Sequence, residues 1–495
     1  MRRPATLLAA ATVAAALVRC PIAPAQAVPA LVGPAPVGLG TEPWRLERVE
    51  LADGVLLEGL IDEAGPDAVF VDVVKRPPGR PMYVVTWGPI TRDRIRRLEP
   101  LPAAEHDRLA ARIDTFFAAR ETATGGKTPA ESLPGLRRDG DAGPWRHESA
   151  AFTFESTADA ASSRDAMARL EEVFGAFELL VPPTVRAGET APPTVRICGT
   201  AAEYAAVQRQ LGVRLENPAF YAAGRRLLVA SSDLPAVTAR QREAAEANAV
   251  AARRLEELDR DFAARLESLV AELERGRAAA AHREQIVQQV RGRWRKERDA
   301  EAGRIEAANR ANQARVAVAR REFYGRLAHE AWHAYADTRL RARGDGRLPR
   351  WLDEGLAQVL EAAPIDAGEL RLGAPDPRRL AAVHQALRDG SLPPLADVLR
   401  AGPEQFLAGH ATAAADAERM YLVSWALALD LAILAPVLSP AAVAGLCDEA
   451  PAADAVRRFE TLVGTSLAAF EPAWRRRLLD LRPRDRAGRP VTQAR

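Results

Sequence analysis

The segment REFYGRLAHEAWHAYADTRL (321–340) contains His329, Glu330 and His333 in the spacing HExxH. On a helix, residues four apart share a face, so both imidazoles can reach one cation. Glu330, next to the first histidine, then reaches a water activated at that cation rather than the cation itself. The flanks suit a buried helix: Phe323, Leu327 and Ala328 precede the motif, and Ala334 and Ala336 follow it. A second element sharpens the pattern. The loop ARGDGRLP (342–349) leads into RWLDEGLAQVLEA (350–362), a second helix whose Glu354 lies 21 positions beyond His333. The loop can return the chain so that Glu354 becomes a third ligand. Two histidines and one carboxylate, with the fourth position left to water, is the arrangement of catalytic zinc. Gly355 keeps the face beside that ligand slim, for close approach of the two helices. Asp337 and Asp353 can each orient a ligand imidazole, and Asp353 is equally placed to cap its helix.

With both elements in view, the chain resembles the gluzincin metallopeptidases. The likeness extends to uncharacterised bacterial secreted peptidase-like families with an LPxWLxEGLA motif, read here as HEAWH and WLDEGLA. The resemblance implies that His329, His333 and Glu354 bind zinc and that Glu330 is the general base. It also implies a later tyrosine ahead of an apolar helix. In AERMYLVSWALALDLA (417–432) that residue is Tyr421, as donor to an oxyanion or as a core tyrosine satisfied locally. His384 and His410 compete for the donor role. The similarity covers roughly 145–480, including FETLVGTSLAAFEPAWRRRLLDL (459–481). It implies hydrolysis of peptide bonds, by an endopeptidase more than an aminopeptidase, since no motif for gripping a free amine is present. The alternatives are a catalytically inactive zinc-binding envelope scaffold or interaction module, and a hydrolase of a non-peptide amide in cell-wall material.

The elements that must hold this site read as α+β. The expected fold is a zincin-like catalytic domain with a mostly helical C-terminal lobe, a small N-terminal β domain and an inserted long helical hairpin. GVLLEGLI, DAVFVDVV and MYVVTW are strand-like and place a small β-barrel-like domain at 43–98. A helix and loop linker follows at 99–144. Residues 145–237 alternate strands and helices, with Met167, Leu170, Phe174 and Phe177 on one helical face. From 238 to 320 the chain is charged, Ala-rich and free of proline. There Leu255, Leu258, Phe262, Leu266, Leu269 and Leu273 form a coiled-coil-like seam, and Gly276 marks the turn to a second stripe of Ile286, Val290 and Trp294. This hairpin departs from a minimal gluzincin. It reads either as an arm for a protein partner or self-association, or as an insertion packed on the body. The zinc-binding region spans 321–375, the helical lobe 376–485 and a tail 486–495.

Residues 1–27 read as a signal peptide: MRRP, an apolar run of about 14 residues, too short for a span of about 20, then APAQA with cleavage after Ala27. Residues 28–42 are a Pro- and Gly-rich linker. The expected location is secreted or periplasmic. Anchoring through an uncleaved signal or a lipidated Cys20 is the alternative. The formal charge of +2 becomes −1 once Arg2, Arg3 and Arg19 leave with the leader. That balance points to no nucleic acid and no anionic membrane as partner, so the expected partner is a peptide or protein substrate. Cys198 and Cys447 then remain, and could pair in an oxidising compartment.

Overall fold

Alternating apolar residues build the first sheet. β1 (Glu47–Leu51), β2 (Leu56–Gly65), β3 (Ala68–Lys75), β4 (Tyr83–Thr91) and β5 (Ile95–Glu99) follow in sequence. They bury Val49, Leu57, Val69, Val71, Val73 and Val84 completely, as a period of two requires when one face meets a core. The computed structural model describes residues 44–482 apart from 53–54, 66–67, 76–82, 124–135, 139, 141–142, 186–189, 216, 232–233, 278, 341–346, 364, 367–368, 372–374, 407–410, 436 and 448–453. The expected signal peptide with Cys20, the linker 28–42, His410 and the tail 486–495 lie outside the described residues.

After α1 (Ala103–Ala123) the chain makes a second sheet from β6 (Arg137–Arg138), β7 (Trp145–Glu148), β8 (Thr153–Ser156), β9 (Thr194–Cys198), β10 (Ala219–Ala222) and β11 (Leu227–Ser231). The sheet order is β10-β11-β9-β8-β7-β6. β8, β9 and β11 run parallel, and β10 lies antiparallel to β11 at one edge. The parallel crossovers carry α2 (Ala160–Leu180) and α3 (Ala201–Leu211). Asp159 starts α2 by accepting from the backbone N–H groups of Ala161 and Ser162, two donors that a helix N-terminus otherwise leaves unpaired. Met167, Leu170, Phe174 and Phe177 are all buried along α2.

α4 (Leu234–Arg275) and α5 (Ala280–Arg339) form the antiparallel hairpin. At about 1.5 Å per residue the 42-residue α4 is about 63 Å long. Phe262 stacks on Trp294 at 5.1 Å between ring centres, the Trp294 indole N–H donates to Asp259 at 2.6 Å, and Asn248 pairs with Asn309 at 2.7 Å. The turn falls at Gly276 and Arg277, the latter in the left-handed region at φ 49. α5 is one uninterrupted helix of 60 residues. It crosses residue 320, where the sequence reading divides arm from site, with no break. Its C-terminal part is clamped by α2: Phe177 meets Trp332 edge-on and lies 5.4 Å from the Tyr335 ring, and the Tyr335 hydroxyl donates to the Val181 carbonyl.

α6 (Arg350–Ala362) follows, then β12 (Ile365–Asp366) and β13 (Glu369–Arg371). β13 pairs parallel with β4, so the first sheet has seven strands in the order β12-β13-β4-β3-β2-β1-β5. The N-terminal strands therefore belong to the same hydrophobic core as the helices behind them. The rest is helical: α7 (Pro377–Arg388), α8 (Leu395–Arg400), α9 (Pro403–Phe406), α10 (Ala411–Leu429) with a π-helical turn at Asp430–Leu434, α11 (Pro440–Leu446), α12 (Ala455–Val463) and α13 (Leu467–Asp480). The protein is α+β with a mostly helical C-terminal region. Among the described residues no helix is long and apolar enough to cross a membrane.

No disulfide joins Cys198 and Cys447, and both are fully buried. Cys198 belongs to a small cluster with Tyr204, Val207, Phe220 and Val229, whereas Cys447 sits in the main core and its thiol donates to the Leu340 carbonyl at 3.1 Å.

Candidate metal centre

Two helices bring the site together. Trp332, at 0 % exposure, packs edge-on against Phe177 of α2 and donates from its indole N–H to Asp353, so it ties α5 to both α2 and α6. The two imidazole rings lie 5.1 Å apart between centres. Glu354, buried at 3 % exposure, places its carboxylate between them, with Oε2 at 3.6 Å from His329 Nε2 and Oε1 at 3.7 Å from His333 Nε2. One ligand atom from each of the three residues lies within 4.8 Å of the others, so His329, His333 and Glu354 could hold a metal ion.

Each imidazole is held from behind by a carboxylate. His333 Nδ1 lies 3.0 Å from Asp353 Oδ1, and the Trp332 indole N–H donates to the same oxygen at 3.0 Å. His329 Nδ1 lies 3.3 Å from Glu361 Oε2, which Arg379 also holds at 2.9 Å. Arg379 donates further to the Gln358 carbonyl at 2.6 Å. A carboxylate on Nδ1 fixes the ring's orientation and leaves Nε2 to face the ion, the usual outer support of a metal-binding histidine. The donor set therefore fits a divalent cation.

The electrostatics follow from these contacts. Burial opposes charge on His333, yet Asp353 and Glu354 outweigh it, and its pKa is pushed up to about 9. Burial likewise opposes ionisation of Glu361, but His329 and Arg379 prevail and hold it down at about 2. Asp353 is lowered, with burial overcome by His333 and Arg350. Glu330 moves the other way: burial raises it, with the Glu354 charge adding and the two histidines subtracting. Its carboxylate accepts from the Tyr221 backbone N–H, on edge strand β10. A carboxylate raised towards neutrality, next to the ligands but outside the triad, suits proton transfer.

The remaining sequence expectations fall as follows. Asp353 lies against His333 Nδ1, and it does not cap α6, where Pro349 is the N-cap residue with no side-chain cap. Asp337 instead accepts from the Tyr221 hydroxyl at 2.8 Å. Gly355 permits a close approach, but to α10: a Cβ there would lie 2.3 Å from the Ser424 carbonyl oxygen. The tight contact between α5 and α6 is at Gly325, where a Cβ would meet the Glu361 carbonyl at 2.8 Å. Tyr421 sits beside the triad. Burial and the Glu354 charge raise its pKa, Arg350 opposes them, and the Tyr421 hydroxyl donates to the Phe406 carbonyl at 3.3 Å. His384 is structural, 2.7 Å from the Leu478 carbonyl through Nε2. Glu361, Arg379, Arg350 and Tyr221 escaped the sequence reading. Glu361 lies seven residues after Glu354 and Arg350 four before it, so the face of α6 that carries the ligand also carries both partners.

No protein-family model, no curated protein and no solved structure matches the chain.

Proposed function

We propose that the protein is a zinc-dependent metallohydrolase of the gluzincin type, acting on peptide bonds as an endopeptidase in the periplasm or outside the cell. The observation that carries this reading is the triad of His329, His333 and Glu354 with a buried, upward-shifted Glu330 at its side. A site that only stapled the fold would need the three ligands and their supports, and would have no use for a buried glutamate beside them. Zinc held there would lower the pKa of water and polarise a carbonyl. Glu330 accepts the proton of the attacking water, oriented by the Tyr221 N–H, and passes it to the departing amine. Asp353 and Glu361 keep the imidazoles from turning while charge shifts.

A peptide substrate is supported by β10. This strand pairs with β11 on one side only among the described residues, and its Tyr221 contacts the base. An extended peptide laid along an open strand edge gains backbone hydrogen bonds whatever its sequence. The sequence holds no motif for gripping a free amine, which favours an internal bond over a terminal one.

The test is metal content and proteolysis of the purified chain from residue 28 onward, next to Glu330→Gln. The expected result is about one zinc per chain in both proteins and cleavage of a denatured protein library by the wild type alone. Zinc in both with cleavage by neither favours a metal-binding scaffold. No zinc in the wild type under metal-replete conditions overturns the proposal.

A further inference from the structure

Arg350 is the first residue of α6, at the positive end of the helix dipole. Its Nη2 contacts Glu354 Oε1, the oxygen that faces His333 Nε2. About a third of its side chain stays open, at 36 % exposure. A guanidinium offers five N–H donors in a planar fork, and the contact to Glu354 leaves part of that fork over. Its Nη1 is 3.9 Å from Asp353 Oδ2, beyond hydrogen-bond reach. The other cation of the site, Arg379, is held behind Glu361 and the Gln358 carbonyl. Tyr421, the donor that the sequence points to, directs its hydroxyl proton at the Phe406 carbonyl.

We propose that Arg350 is the oxyanion-binding group of the site, with Glu354 as the residue that positions it. This deepens the metallohydrolase reading and rests on it. When water adds to the scissile carbonyl, the new C–O bond forms as the carbonyl π pair moves onto its oxygen. That oxygen becomes an anion until the C–N bond breaks and the pair returns. Arg350 reaches Glu354 from the first turn of α6, and Glu330 follows His329 on α5. An arginine donor keeps its charge across the working pH range, whereas a phenol or an imidazole titrates. The carboxylate beneath keeps the fork in place without consuming it.

The experiment uses zinc-loaded chain and two probes, a phosphinic peptide, whose anionic tetrahedral group mimics the adduct, and acetohydroxamic acid, which chelates zinc without that group. In Arg350→Gln, zinc content should be unchanged, and the phosphinic peptide should bind about a hundredfold more weakly, in line with loss of one oxyanion donor. Hydroxamate affinity should change less than about threefold, and kcat should fall with KM nearly constant. Arg350→Lys should recover part of the phosphinate affinity. In Arg350→Ala, added guanidinium should restore part of kcat. Equal loss for both probes, or loss of zinc, would make Arg350 a support for Glu354 and overturn the assignment, as would unchanged phosphinate affinity. A wild type that binds zinc and hydroxamate while Arg350→Gln behaves identically sinks this inference alone. A wild type that binds neither sinks the hydrolase reading beneath it.

Discussion

Asp353→Asn isolates what a supporting carboxylate does for a ligand histidine. Asparagine keeps the shape and one acceptor oxygen for Trp332 or His333, and removes the charge. His333 is pushed from its ordinary 6.5 to about 9, against the opposing effect of burial. At about 1.4 kcal/mol per unit that interval is worth up to about 3 kcal/mol between the two protonation states, and the Asp353 charge is its largest favourable source. The sign is set by linkage: the folded pKa is raised, so the stabilisation is complete below about 6.5 and lost as pH rises through about 9. In chelator-treated protein, Asp353→Asn should lower the His333 pKa by at least one unit, read by NMR titration of the ring. The stability gap from wild type, measured by urea unfolding, should be widest below pH 6.5 and close above pH 9. Zinc affinity should fall about 10- to 100-fold, because a neutral partner orients the ring and raises its basicity less. A variant in which His333 still titrates near 9 would refute the assignment of that shift to Asp353.

Three further outcomes follow from the same geometry. Zinc must displace a proton from His333 below about pH 9, so apparent affinity should rise about tenfold per pH unit through the neutral range by competition titration; a flat profile would contradict it. Gly355→Ala puts a methyl 2.3 Å from the Ser424 carbonyl and 2.8 Å from Ala428 Cβ, and should destabilise by about 1–3 kcal/mol, seen as a lowered Tm. Cys198 and Cys447 are buried, and burial with the Glu203 charge pushes Cys198 up to about 12. Neither should react with maleimide until denaturant is added, as mass-mapped peptides would show.

The strongly periodic parts of the fold were legible. β2, β3 and β4 of the first sheet, α2 with its buried Met167, Leu170, Phe174 and Phe177 and α3 follow from apolar spacing, and the hairpin turn follows from Gly276. The HExxH helix and Glu354 were legible because fixed intervals of four and 21 residues encode a shared face and a returning loop. What escaped was non-local or short. β10 is four residues long, too brief to show a period, yet its Tyr221 N–H meets Glu330. β13 joins β4 across nearly three hundred residues of chain, a pairing that no local pattern announces. The ring supports are ambiguous in sequence because carboxylates on α5 and α6 are plentiful. Asp337 and Asp353 are equally eligible by spacing, and only packing sends one to His333 and the other to Tyr221.

The unbroken run of α5 constrains how this protein can change length. Each residue added to or removed from a helix turns everything beyond it by about 100°. An insertion in the second strand of the hairpin would therefore twist the seam formed by Trp294 and Asn309 out of phase with the face that carries His329 and His333. Lengthening α5 alone would also leave α4 without a matching partner. The arm can thus be extended or shortened only at its tip, by near-whole turns, and in step on both strands. Drift in its length should come as paired steps of about seven residues flanking Gly276, with the interval from Asn309 to His329 held constant.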